Sequence, residues 1–153
     1  MNQKQAWYIF GAGVIYYYFL RGVRSLRFGI ERFNLISFTD KIAEFEVVFY
    51  AYNPLLVGLF MRNVSGTIRL MGVEIGYVNY PVNQEVLPRN YTFIPVRFSV
   101  DYAKLGNGLV SYLKTGNVST LLIEFDGLVT VGREKIVSVP IRKQITWGDL
   151  IGR

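Results

Sequence analysis

The sequence contains no cysteine and no histidine. Disulfide bonds are therefore excluded, so packing must hold the fold, and cysteine usage gives no indication of the redox compartment. Zinc sites with imidazole or thiolate ligands are excluded as well. So are nucleophile systems of the Ser-His-Asp and Cys-His kinds. Because so much side-chain chemistry is absent, we predict that the protein is not an enzyme and uses no cofactor or metal.

Charged residues are also scarce, at 18% of the 153 residues, whereas soluble domains usually contain about 25%. Apolar residues make up 51% of the chain. That is enough to offset the entropy of folding, so disorder of the whole chain is excluded. The length fits one domain with its own core and a short appendage.

The net charge of +6 is concentrated near the N-terminus. Lys4, Arg21, Arg24 and Arg27 all precede the first acidic residue, Glu31. The remaining basic residues are scattered and do not form the clusters interleaved with aromatic residues that nucleic-acid grooves use. We therefore predict no specific nucleic-acid partner for the main domain.

An uncharged stretch precedes these arginines and covers residues 6–20, within AWYIFGAGVIYYYFLRGVRSLRF. Its large apolar and aromatic residues are the predicted anchor to a membrane or an assembly: Trp7, Tyr8, Ile9, Phe10, Val14, Ile15, Tyr16, Tyr17, Tyr18, Phe19 and Leu20. As a helix, residues 6–20 would extend about 22 Å, less than the roughly 30 Å of a hydrocarbon core. A tilted helix that is partly packed against protein is therefore favoured over a single helix that crosses the bilayer by itself.

Three arginines follow the uncharged stretch at intervals of three residues. Arg21, Arg24 and Arg27 lie opposite Val23, Leu26 and Ile30 if the helix continues, so we predict that they contact an anionic surface. The excess of arginines after the stretch predicts that the main domain faces the cytoplasm, or the equivalent side. Two alternatives to a membrane helix remain open at this point: an arm buried in an oligomer, and two strands joined at Gly11-Ala12-Gly13.

The pattern changes to period two after Phe28. Phe45, Val47, Phe49 and Ala51 alternate with more polar residues, which predicts a strand with one buried face. A similar strand is predicted at YTFIPVRFSV, where Pro95 indicates a sheet edge. In LFMRNVSGTIRLMGVEIGYV, Gly66 predicts a bulge or bend and Gly72 a turn.

One internal helix is predicted in DYAKLGNGLVSYLKTGN, where Leu109, Tyr112 and Leu113 share a face and Gly116 ends the helix. Asp126-Gly127 and the residues 132–134 are predicted to reverse the closing strands. The whole pattern predicts a mostly β fold, an immunoglobulin- or fibronectin-like antiparallel β-sandwich preceded by an N-terminal hydrophobic helix. The predicted divisions are an anchor at 1–27, the sandwich at 28–146 and a C-terminal tail at 147–153.

Residues 33–143 resemble the group-two late-embryogenesis-abundant fold, also called the water-stress and hypersensitive-response (WHy) domain. The resemblance depends on VVFYAYNPLLVG, with Asn53-Pro54 at the end of a long strand, on GTIRLMGVEIGYV, and on the closing IEFDGLVTVGREKIVSVPI. It implies a seven-stranded sandwich without catalytic residues, often preceded by a membrane helix. We interpret Asn53 as a residue that caps the turn and Pro54 as one that ends strand pairing.

The acidic residues do not predict a catalytic pair. Glu44 and Glu46 share the wet face of one strand, and Glu124 and Asp126 share a face of another. A hydrolase needs two carboxyl groups that converge across a cleft in unlike environments. A solvated face explains same-strand neighbours better, so we predict no small-molecule substrate.

The sequence therefore predicts a non-enzymatic structural or scaffolding protein, a β-sandwich adaptor anchored by its N-terminal helix. Its predicted partners are a lipid bilayer, neighbouring protein subunits or both, within a larger assembly such as a virus particle or an envelope complex. Surface tyrosines, with Tyr50, Tyr77, Tyr80, Tyr91 and Tyr102 as candidates, are hypothetical partner contacts. The alternative is a membrane-tethered, stress-protective protein of the desiccation type, as the resemblance implies.

Overall fold

The computed structural model describes residues 3–5, 20–134 and 136–151. Seven β-strands account for most of this part of the chain. They are β1 (Arg27–Phe38), β2 (Ile42–Tyr52), β3 (Leu59–Leu70), β4 (Val73–Val86), β5 (Tyr91–Asp101), β6 (Leu122–Val131) and β7 (Val137–Thr146).

The strands form two antiparallel sheets, with the order β1-β2-β5 in one and β4-β3-β6-β7 in the other. The predicted two-sheet antiparallel sandwich is therefore confirmed. The fourth strand pairs with β3 and not with β5, whereas in a constant-type immunoglobulin domain the fourth strand belongs to the same sheet as the first, second and fifth. Among the described residues, β1, β5, β4 and β7 each pair with one neighbour, so in this part of the chain each sheet has two free edges.

The core lies between the inner faces of the two sheets. Phe45, Val47, Phe49 and Ala51 are all 0% exposed, as their alternation predicted. At the centre, the rings of Phe28 and Phe49 are 5.3 Å apart and those of Phe49 and Phe125 are 4.8 Å apart. These offset ring contacts are the arrangement that aromatic quadrupoles favour.

Short helices cover parts of both ends of the sandwich. Residues 20–25 are helical (α1), and the connection between β5 and β6 contains α2 (Tyr102–Leu105) and α3 (Asn107–Thr115). The predicted internal helix is thus confirmed, but Gly106 with φ 78° divides it in two. Leu109 and Leu113 are buried as predicted, and Gly116 caps α3 in the left-handed conformation.

The C-terminal residues differ from the predicted tail. Trp147–Ile151 form helix α4, and Trp147 and Leu150 belong to the hydrophobic core. The indole ring of Trp147 meets the ring of Phe33 edge-on at 4.9 Å. Five residues are too few to show the helical periodicity from which such a helix could be predicted.

Two predictions about glycines are wrong. Gly66 pairs in register with Gly127, and the irregularities of β3 lie between Met61 and Asn63 and between Ile68 and Arg69. Gly127 lies within β6, so Asp126-Gly127 is not a reversal. Both glycines face the core, where the ring of Phe125 occupies the space that their side chains would fill.

The predicted N-terminal helix lies largely outside the described residues. Residues 3–5 and 20–25 are helical, but Ile30 lies in β1, so the helix does not continue along Val23, Leu26 and Ile30 as predicted. Within the described parts of the chain, no helix is both long and apolar enough to cross a membrane.

Candidate docking end of the sandwich

One end of the sandwich, here called the upper end, is where β1 begins. The strand registers bring three loops to this end, since Arg27 pairs with Tyr52 and Leu59 pairs with Val86. The loops comprise residues 53–58, residues 87–90, and residues 132–134 with 136. The lower end carries the turns 39–41 and 71–72 together with α2, α3 and α4.

Asn53 fixes the first two of these loops to each other. Its side chain is 0% exposed, and its Nδ2 donates hydrogen bonds to the carbonyl oxygens of Val57 (2.7 Å) and Val86 (3.0 Å). Its Oδ1 accepts a bond from the Leu55 amide at 3.0 Å. A buried amide with all these partners satisfied stabilises the loop geometry. The interpretation of Asn53 as a structural cap agrees with these contacts.

Each loop of the upper end presents a large aliphatic side chain to solvent. The exposed fractions are 75% for Leu56, 63% for Val57, 54% for Leu87 and 55% for Ile136. A single exposed aliphatic residue is ordinary, but several on one end form an apolar tip of the kind that marks an interaction site. We call these four residues the apolar tip.

Aromatic residues continue this surface along the outer face of the β1-β2-β5 sheet. The ring of Tyr91 lies 4.6 Å from that of Tyr52 and 6.1 Å from that of Phe93. Tyr91 and Phe93 are 55% and 54% exposed. Tyr50 covers Gly29, its cross-strand neighbour. Aromatic rings with polar tips are favoured where an apolar phase meets water.

Helix α1 joins the sandwich at the same end. The Cα of Gly22 faces the side chain of Leu55 so closely that a Cβ there would overlap it. Val23 is 1% exposed and belongs to the core. Helix α1 therefore packs beside the loop that carries Leu56 and Val57.

The upper end is also strongly basic. Residues 20–27, 53–58, 87–90 and 132–134 contain five arginines (Arg21, Arg24, Arg27, Arg89 and Arg133) and one carboxylate, Glu134. A second carboxylate at this end is that of Glu85, which lies against Gly58. The residues 39–41, 102–121 and 147–150 of the lower end contain three lysines and two aspartates. Positive potential is therefore concentrated where the apolar tip is exposed.

The residues predicted as a site divide into two groups. Residues 7–19 of the predicted anchor lie outside the described residues, whereas Leu20 is half-buried where the described part of α1 begins. Arg21 and Arg24 are exposed on α1. Arg27 is exposed at the start of β1, with its guanidinium 5.9 Å from the centre of the Tyr52 ring.

The apolar tip was not predicted from the sequence. The available signal was the presence of apolar residues in segments with turn chemistry, LLVG after Asn53-Pro54 and Leu87 before Pro88. Of the candidate surface tyrosines, Tyr77 and Tyr91 are exposed by 66% and 55%, while Tyr102 donates a hydrogen bond to the carbonyl oxygen of Thr39.

The carboxylates have ordinary partners. Glu46 pairs with Arg97 at 2.9 Å on the outer sheet face, and Asp126 pairs with Arg142 at 3.5 Å. Among the residues that the structure describes, no group of three acidic side chains is placed to hold a metal ion. Burial, followed by the nearby charge of Asp40, raises the pKa of Tyr102 above its usual value.

No protein-family model and no curated protein matches the chain. Among solved structures, the solution structure of AT1g01470 from Arabidopsis thaliana has a TM-score of 0.55 and 16% identity, covering 78% of this chain and 80% of that one. A protein provisionally described as late embryogenesis abundant (LEA), At2g46140.1, has a TM-score of 0.47 and 13% identity, covering 97% and 90%. A protein from Archaeoglobus fulgidus has a TM-score of 0.43 and 15% identity, covering 80% and 94%.

Because these neighbours have low sequence identity to this chain, they show its fold and not its activity. The structure of AT1g01470 shares the fold of this chain, so the resemblance predicted from the sequence is confirmed at the level of fold. The chain has a two-sheet β-sandwich that is similar in fold to this neighbour.

Proposed function

We propose that this protein is a non-enzymatic adaptor that attaches to a lipid bilayer through the upper end of its β-sandwich. The observation that carries the proposal is the coincidence, at one end, of the apolar tip with five arginines and only two carboxylates, Glu85 and Glu134. Transfer of apolar surface out of water drives attachment. Arginines close to an anionic bilayer each contribute about 1 kcal/mol.

The position of α1 supports the same orientation. Because α1 packs beside Leu55, an anchor formed by residues 6–20 would reach the bilayer that the apolar tip also contacts. The excess of arginines after residue 20 then favours a location of the sandwich on the cytoplasmic or equivalent side. The lower end and the outer face of the β4-β3-β6-β7 sheet remain available to neighbouring subunits of an assembly.

The absence of cysteine makes a direct test of this orientation simple. Single-cysteine variants Leu56→Cys, Leu87→Cys and Tyr112→Cys of the full chain are labelled with an environment-sensitive fluorophore and added to vesicles that contain anionic lipid. We expect a blue shift, and quenching by nitroxide-labelled lipid, at positions 56 and 87. Tyr112 is 47% exposed on α3 at the opposite end and is the matched control. The label at position 112 should show neither a blue shift nor quenching by nitroxide-labelled lipid. Labels at 56 and 87 that stay in water would contradict the proposal.

The affinity of attachment should fall when the apolar tip is made acidic. Leu56→Glu removes a large aliphatic side chain and adds a charge that anionic lipid repels, so we expect the vesicle partition coefficient to drop by about tenfold. Tyr112→Glu should leave the partition coefficient within about twofold, since it lies outside the contact. Flotation of the full chain with vesicles measures both values, and equal losses in the two variants would exclude a specific role for the upper end.

A second candidate function is the membrane-tethered, stress-protective role that the sequence resemblance implies. Its support is the shared LEA-like fold. The two functions differ in what the attached sandwich does. Full chain on vesicles, dried together with a drying-sensitive client enzyme, should preserve client activity if the role is protective. Preservation no better than with empty vesicles, together with recovery of the chain in a multi-subunit complex, would favour the adaptor.

A further inference from the structure

An open groove runs between the free edges of β1 and β7, next to α1. Its cavity volume is about 470 Å³, within the range of pockets that bind small ligands. The floor includes the apolar side chains of Val139 and Ile141. Two cationic side chains, Arg24 and Lys143, line the same groove. The side chains of Arg27 and Arg142 lie on the outer faces of their sheets, over the Tyr52 ring and beside Asp126 respectively.

Lys143 has an unusual position for a lysine. It pairs with Phe125, which is 0% exposed, and its neighbours Ile141 and Ile145 along the same face pack against the core. Since paired residues in a sheet point to the same face, Lys143 lies on the inner face of β7. It is nevertheless exposed, because the two sheets do not close over it at this edge.

An inward lysine on an edge strand is one way in which sheets avoid edge-to-edge pairing. That role accounts for Lys143 alone. It does not account for Arg24, which comes from α1 and lines the same cavity. The presence of two cations from different elements beside one apolar floor needs a separate explanation.

The cations of the groove are not neutralised by carboxylates. Within the residues that the structure describes, neither Arg24 nor Lys143 forms an ion pair with an acidic side chain. A ligand that complements this groove carries negative charge at one end and an alkyl chain at the other.

We infer that the groove binds one anionic amphiphile, an alkyl chain that carries a phosphate or carboxylate group. The alkyl chain lies against Val139 and Ile141, and the anionic group is held by Lys143 with Arg24. A bilayer lipid and a free fatty acid share this chemistry. The inference rests on the proposed function only in taking the bilayer as the source of the ligand.

The test uses the full chain on zwitterionic vesicles that contain a small fraction of phosphatidic acid with a photoreactive group on its acyl chain. After illumination, mass spectrometry maps the crosslinks. We expect crosslinks in residues 139–143 and 23–28, suppressed by excess dodecyl phosphate but not by inorganic phosphate or dodecanol. A photoreactive fatty acid added without vesicles distinguishes the free source from the bilayer source.

Two variants and one control make the result specific. Lys143→Gln should lower groove crosslinking by about tenfold, because it removes the inward cation, and Ile141→Trp should abolish it by filling the floor. Lys104→Gln, at the lower end, should leave crosslinking unchanged. Because Lys143 is exposed, its replacement should not alter the thermal unfolding of the chain, which keeps the test valid if Ile141→Trp does not fold.

The two proposals fail in different ways. Crosslinks confined to the apolar tip or to residues 6–20 would overturn the groove site and leave bilayer attachment standing. Crosslinks of the free fatty acid in the groove, without flotation of the chain on vesicles, would support the groove and overturn the proposed function. Crosslinking that is equal in wild type and Lys143→Gln would overturn the groove site.

Discussion

Asn53→Asp is expected to destabilise the protein by about 4 kcal/mol at neutral pH, a large part of the stability of an ordinary domain. The substitution keeps the shape of the side chain but replaces its donor by an acceptor. The carbonyl oxygens of Val57 and Val86 then lose the Nδ2 donor that satisfies them. The new carboxylate must in addition be buried, since the side chain is 0% exposed.

The destabilisation should depend on pH with a definite sign. Burial and the two carbonyl oxygens both disfavour the charged form, so the pKa of Asp at position 53 is raised in the folded state above the unfolded value of about 3.9. The variant is therefore most stable below about pH 4, where the carboxyl group is protonated in both states, and loses stability as the pH rises above that value. Urea unfolding of the full chain at several pH values measures this dependence.

Asn90→Asp is the matched control for this prediction. Asn90 is exposed, and its Oδ1 accepts a hydrogen bond from the Tyr91 amide, which a carboxylate also accepts. We expect a change within about 0.5 kcal/mol, with little dependence on pH. If the two aspartate variants unfold alike, Asn53 does not fix the loops through its amide donor.

The success of the strand predictions depended on how regular each strand is. The alternation in β2 is uninterrupted, so the buried set from Phe45 to Ala51 could be read directly from the sequence. The strand β1 has irregular pairing between Ile30 and Arg32 and between Leu35 and Ser37. Each irregularity shifts the period-two pattern by one residue, so β1 had no clear signature of its own.

The candidate site could be predicted only in its local parts. The arginines after residue 20 stand close together in the sequence, and their charge was evident. The apolar tip and the groove combine residues that are far apart in the chain, such as Leu56 with Leu87 and Arg24 with Lys143. Sheet order brings these residues together, and no local periodicity encodes it.

The role of the glycines in β3 and β6 also could not be predicted from the local sequence, because it depends on packing between the strands. A glycine beside aspartate is a strong turn signal, and this is why Asp126-Gly127 was predicted as a reversal. In the structure, Gly127 instead allows β6 to lie close to β3 at Gly66. Phe125 lies over both Gly66 and Gly127, and its ring also packs against Phe49 at 4.8 Å.

Gly127→Ala should therefore destabilise the fold by at least about 3 kcal/mol. An added Cβ overlaps the carbonyl oxygen of Ser65 and lies 2.7 Å from the Cα of Gly66. Both are backbone atoms of the paired strand, so no side chain can rotate away to relieve the overlap. The strands must separate, and the central aromatic contacts of Phe125 would be disturbed with them.

Gly108→Ala provides the matched comparison, because an added Cβ there meets nothing within 4 Å and the residue lies in helix α3. Alanine favours a helix over glycine, so this variant should be neutral or stabilised by up to about 1 kcal/mol. Thermal unfolding of both variants measures the contrast. Loss of stability in Gly127→Ala but not in Gly108→Ala would attribute the cost to backbone contact between β3 and β6. Equal behaviour would mean that the two strands can separate freely, and the close Gly66–Gly127 pairing would not be what holds the centre of this sheet.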